Sequence, residues 1–95
     1  MIIQFLPADL EHVGGYYYSP PFLVNKNDTT IQINTNVVSN VNMEASIDGG
    51  VYFEVLDSSF TTSADGAIQS YADAQENLNY RIKIDNLPIS IKILV

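Results

Sequence analysis

The segment Met43 to Leu56, Met-Glu-Ala-Ser-Ile-Asp-Gly-Gly-Val-Tyr-Phe-Glu-Val-Leu, constrains the fold more than any other stretch. Apolar and polar residues alternate on both sides of Asp48-Gly49-Gly50. Period-two alternation marks a strand with one buried face, and glycine after aspartate marks a tight turn. The segment therefore reads as a hairpin. A three-residue loop puts Ile47 opposite Val51, Ala45 opposite Phe53 and Met43 opposite Val55, all on one face. Glu44, Ser46, Tyr52 and Glu54 take the other. A loop of Gly49-Gly50 alone would pair Ile47 with Tyr52 and Ala45 with Glu54, mixing the faces. Register follows the buried face, so the longer loop is expected, with Gly50 at positive φ.

The same alternation recurs. Ile31, Ile33, Thr35 and Val37 share one face, with Thr30, Gln32, Asn34 and Asn36 on the other. Tyr80, Ile82 and Ile84 alternate with Arg81, Lys83 and Asp85; Ile89, Ile91, Ile93 and Val95 alternate with Ser90, Lys92 and Leu94. With Asp85 to Pro88 as a loop, this reads as a second hairpin in which Ile84 faces Ile89 and Arg81 faces Lys92. Asp65-Gly66 is a hairpin signal between Phe60–Thr62 and Ala67–Tyr71. Ala72 to Asn77 is the only helix-friendly segment, too short to stand alone. A loop or one helical turn crossing between sheets is expected there. Asn25 to Asp28 is a turn by composition. Seven or eight short strands follow, the pattern of an all-β sandwich or small barrel.

Residues 1–22 differ from 23–95. After a short strand at Ile2–Phe5 come Pro7, Gly14-Gly15, three consecutive tyrosines and Pro20-Pro21. Glycines and prolines bracket the aromatics, so an extended amino-terminal arm is expected ahead of a sandwich domain.

Composition narrows function. A chain of 95 residues that is 46% hydrophobic and 16% charged can bury one core. A net charge of −7 argues against nucleic acid or an anionic membrane as partner, since both need clustered bases. Without cysteine there is neither a disulfide framework nor a thiolate metal site. Met1 to Pro7 has no basic n-region and too short an apolar run for a signal peptide.

Leu78 to Ile84, followed by a turn and a last strand, resembles the F and G strands of immunoglobulin-like and fibronectin type III-like domains. Tyr80, two residues before Ile82, stands where such domains place a tyrosine corner. The resemblance implies an immunoglobulin-like β-sandwich. Ser46 to Phe53, the Asn- and Thr-rich strands and the Ile-Lys ending are similar to small sandwiches of tailed-phage virions, such as capsid decoration (cement) proteins and Ig-like modules of tails and head fibres. That resemblance implies a bacteriophage structural protein that binds the capsid shell or host-surface glycans, located in the virion and assembled in the host cytoplasm.

The expected partner-binding residues are Tyr16, Tyr17 and Tyr18, large rigid contacts with polar tips, together with Arg81, Lys83, Lys92 and Leu94 on the outer face of the last hairpin. The plainer alternative is an arm sealing its own sandwich, with Glu44 or Glu54 neutralising Arg81. His12 is the only histidine and has no second strong metal ligand beside it. Asp48, Asp57, Asp65, Asp73 and Asp85 lie near turns, where calcium is conceivable, but no spacing matches a calcium loop. No catalytic motif stands out, and no enzyme activity or cofactor is expected. The first expectation is a homo-oligomeric decoration protein docking on capsid or neighbouring virion subunits through residues 1–22. A glycan- or receptor-binding module is the alternative.

Overall fold

The structure is a computed structural model that describes residues 1–24, 28–72 and 74–95. Residues 25–27 of the turn expected over Asn25 to Asp28, and the loop aspartate Asp73, lie outside the described residues. Among the described residues ten strands form: β1 (Ile2–Phe5), β2 (Glu11–Val13), β3 (Tyr16–Tyr18), β4 (Thr29–Asn34), β5 (Asn40–Ser46), β6 (Phe53–Glu54), β7 (Phe60–Thr61), β8 (Gly66–Tyr71), β9 (Asn79–Ile84) and β10 (Ser90–Leu94). They build two antiparallel sheets, β1-β10-β4-β8 and β2-β3-β9-β5-β6, with β7 also on β5. The all-β sandwich expected from the alternation is what forms.

The central hairpin organises everything else. Ala45 faces Phe53, the register expected for a three-residue loop. Ile2 faces Leu94, Tyr17 faces Ile84 and Thr29 faces Tyr71. Each of these pairs is centred between residues 48 and 51. The chain is thus one long hairpin whose successive rungs, β1·β10, β3·β9, β4·β8 and β5 with β6 and β7, fall alternately in the first and second sheet. Rolling brings β10 against β4 and β9 against β5. This is jelly-roll connectivity, a double-sheet way of closing a β-domain.

That rolling corrects three expectations. The carboxyl-terminal hairpin does not form: β9 and β10 lie in opposite sheets, whereas an immunoglobulin-like sandwich would place them side by side. Ile82 and Ile84 therefore meet Ile91 and Ile93 across the core, and Arg81 pairs with Glu44 rather than Lys92. Asp65-Gly66 likewise does not close a hairpin, because β7 joins β5 and β8 joins β4. Residues 1–22 are not an irregular arm. β1 is an edge of the first sheet, and the β2–β3 hairpin extends the second. Unpaired backbone groups on β9 and β10 are satisfied this way.

The core holds Ile31, Ile33, Ile91 and Ile93 from one sheet and Val41, Met43, Tyr80, Ile82 and Ile84 from the other, with Phe22 and Val24. Burying each aliphatic side chain contributes about 1.5–3 kcal/mol. The hydroxyl of buried Tyr80 accepts the Gln75 N–H at 2.7 Å, upstream of its own strand. Ala72 and residues 74–77 cross between the sheets without a helix, as expected.

Where strands are interrupted, hydroxyls replace backbone partners. The pairing of residues 16–22 with β9 gains one residue at Pro20-Pro21, between Tyr18↔Lys83 and Phe22↔Tyr80. Proline has no N–H for the ladder. Ser19 Oγ accepts the Ile82 N–H there at 2.8 Å. Between β6 and β7 the chain bulges through Asp57, at φ 60°, and buried Ser58 Oγ accepts the Met43 N–H at 3.0 Å. The central turn differs from expectation in two respects: Ile47 and Val51 do not pair, so residues 47–52 lie outside the strands, and the glycine at positive φ is a different one. Gly49 rather than Gly50 has positive φ, because Asp48 Oδ1 accepts the Gly50 N–H and Ser46 Oγ accepts the Gly49 N–H, which tightens the loop around Gly49.

Candidate functional site

The outer face of the second sheet gathers most of the tyrosines and bases singled out from sequence. Lys83 lies beside Tyr18 on β3, and Arg81 beside Glu44 on β5. Arg81 Nε donates to Glu44 Oε1 at 2.7 Å, and Nη2 lies 2.7 Å from the same oxygen. The guanidinium also sits over two rings, 4.3 Å from the centre of Tyr18 and 4.1 Å from that of Tyr52. Lys83 Nζ lies 4.1 Å from the centre of the Tyr16 ring. Tyr17 points the other way, partly buried against the core, with His12 of the edge strand stacked on it at 4.3 Å. Each tyrosine of the triplet thus has a ring face engaged within its own sheet.

Next to this cluster lies a polar cleft of about 310 Å³ lined by Tyr16, Asn40, Asn42, Glu54, Thr61 and Lys83, among others. Its polar groups largely satisfy one another. Asn42 Nδ2 donates to Glu54 Oε1 at 2.7 Å, and Thr61 Oγ1 to Asn40 Oδ1 at 3.0 Å.

Lys92 and Leu94 lie apart from that cluster, on the outer face of the first sheet. Leu94 pairs laterally with Ile2 and Thr30, and Lys92 with Gln4 and Gln32. Ile2, Ile68 and Leu94, all more than half exposed, line a shallow hollow of about 160 Å³ with the Lys92 stem. No residue of β1, β10, β4 or β8 is acidic, although the chain has eleven acids.

A third surface went unrecognised in the sequence because its residues read as core. Ile47, Val51 and Phe53 keep the core-facing parity of Met43, yet they are 85, 68 and 72% exposed. Among the described residues nothing covers this face at the tip of the hairpin. With Ala45, Leu78 and Asp48 the three residues line an open groove of about 460 Å³. Asp48 is held at its mouth. The Gly50 N–H, then the Ser46 hydroxyl, hold its carboxyl below the usual carboxylate range.

Among the described residues no group of three or more His, Asp or Glu could hold a metal ion. Asp85 instead caps the start of β5, accepting from Asn40 N and Nδ2 at 2.8 and 2.9 Å. No protein-family model matches the chain, and no curated protein matches it at a significant level.

Proposed function

We propose that this chain is a structural protein of a virion, a capsid-decorating or cementing β-sandwich that docks on neighbouring protein subunits and associates with its own copies. The observation that carries this reading is the uncovered core-facing surface at the hairpin tip, Ile47, Val51 and Phe53. Large exposed apolar patches mark interaction sites. A rigid sandwich with one such patch at its tip and another on its outer sheet face can lie between neighbours. Jelly-roll connectivity is known in viral capsid and lectin domains, an analogy of fold alone. Docking is assigned to Lys92, Leu94 and the tip, because Arg81, Lys83 and the three tyrosines are engaged with one another or with the core.

A glycan-binding module is the second reading, supported by the amide-lined cleft beside Tyr16. It ranks lower because Lys83 occupies a face of the one tyrosine ring in that cleft.

Immunogold microscopy with an antibody against the chain tests the virion reading, on particles released by cells that naturally carry its gene. Regular labelling of particle heads or tails is expected. Label confined to the cell surface or the soluble fraction would reject it.

A further inference from the structure

The two exposed apolar surfaces have complementary charges. The outer face of the first sheet presents Ile2, Ile68 and Leu94 around Lys92. Among the described residues Lys92 has no ion pair, the one ion pair being Arg81–Glu44. The hairpin tip presents Ile47, Val51 and Phe53 beside Asp48, whose carboxylate is pre-oriented by the Gly50 N–H and the Ser46 hydroxyl. Among the described residues one surface carries a cation and no acid, and the other a fixed carboxylate and no base.

We propose that the hairpin tip of one copy seats on the outer face of β1-β10-β4-β8 of the next, with Asp48 meeting Lys92 at the rim of an apolar contact. This names the surfaces for the self-association proposed above and rests on that part of the reading only; the virion setting is tested separately by the labelling.

Charge decides between this arrangement and its rivals. Face against face would bring two ammonium groups together with no carboxylate between them. Tip against tip would bring two carboxylates together in a chain already at −7. Like charges across an interface are unfavourable, and opposite ones fix the register. Head-to-tail contact places the acid-free face against the tip and leaves the remaining acids outside it. Such an interface is heterologous, so it generates a ring if the rotation closes and a chain of subunits if it does not. Both are ways for a small protein to cover a repeating lattice.

Sedimentation velocity on the full chain, from micromolar to millimolar concentration, tests the proposal. The mass is expected to rise above the 10.5 kDa of one chain as concentration increases. Lys92→Glu and Asp48→Asn should each weaken association by about tenfold. Asp48→Asn keeps an oxygen for the Gly50 N–H, and Ile47→Ser leaves the turn's hydrogen bonds untouched, so loss of association in either is not loss of the hairpin. The double variant Lys92→Glu/Asp48→Lys restores the opposite charges and should recover most of the affinity. A mass of one chain at every concentration overturns the proposal, as does association that ignores Lys92→Glu.

Discussion

The Arg81 guanidinium lies between the rings of Tyr18 and Tyr52 while its Nε and Nη2 both reach Oε1 of Glu44 at 2.7 Å. Three segments far apart in sequence, β3, the central hairpin through Glu44 and Tyr52, and β9, are tied at one point. Only a planar cation can stack on rings and fork to a carboxylate together. Arg81→Lys should therefore destabilise by roughly 1–2 kcal/mol although charge is kept. Glu44→Gln should cost less, because the rings still hold the cation. Urea unfolding of the two variants checks the order; an Arg81→Lys protein as stable as the parent would remove the stack from the account.

Ser58 and Ser19 fill breaks in the ladders, bonding the N–H groups of Met43 and Ile82 in the core. Removing the hydroxyl leaves a buried donor unsatisfied, at about 1–3 kcal/mol each. Exposed Ser59, one residue on from Ser58, should tolerate alanine within about 0.5 kcal/mol. Amide hydrogen exchange at Met43 should rise in Ser58→Ala and stay unchanged in Ser59→Ala.

Two glycines at positive φ should respond very differently to alanine. Gly49, at φ +79°, has nothing closer than 3.8 Å to an added Cβ, so only backbone strain counts, about 1 kcal/mol. Gly66, at φ +139°, would place its Cβ against the carbonyl oxygen of Ile33, where β8 starts on β4. Gly66→Ala should cost about 3 kcal/mol or more, since strand pairing must shift. Thermal melts of both variants check this, and equal melting temperatures would contradict it.

Tyr71 donates to the Ser58 carbonyl at 2.6 Å, and burial pushes its hydroxyl pKa up to about 12. The folded chain keeps this proton where the unfolded chain, at about 10, has lost it. The unfolded state then binds fewer protons, so stability falls as pH rises from about 10 to 12 and is fully present below that window. Tyr71→Phe should lower stability at neutral pH by about 1 kcal/mol and flatten this alkaline decline. Urea titrations at both ends of the window measure the difference.

Much of the fold is legible in the residues because side-chain parity is a local property. Ile31 and Ile33, Ile82 and Ile84, Ile91 and Ile93 each announce their buried face, and the Asp48 turn fixes Ala45 opposite Phe53. Parity names a face without naming the neighbour across it. Nothing in Asp85 to Pro88 distinguishes a hairpin from a crossing between sheets; in the crossing β10 pairs with β4 over five residues and β9 with β5 over six. The tyrosine triplet looked unfixed for the same reason: β9, sixty residues later, supplies its ladder.

The candidate sites divide along the same line. Strand parity singles out Arg81 and Lys83, and the flanking glycines and prolines single out the tyrosines; only the second sheet brings the two sets together. Separating Lys92 and Leu94 from them required the rolling of the whole chain. The exposure of Ile47, Val51 and Phe53 depended on what the rest of the fold leaves uncovered, which no alternating pattern carries. The sequence by itself determined most of the strands between residues 29 and 95, the apolar side of each, and the fold-back at Asp48-Gly49-Gly50. The tertiary structure alone decided which strands are neighbours and which apolar faces stay open, because those depend on pairing lengths and sheet edges contributed by residues far apart in the chain.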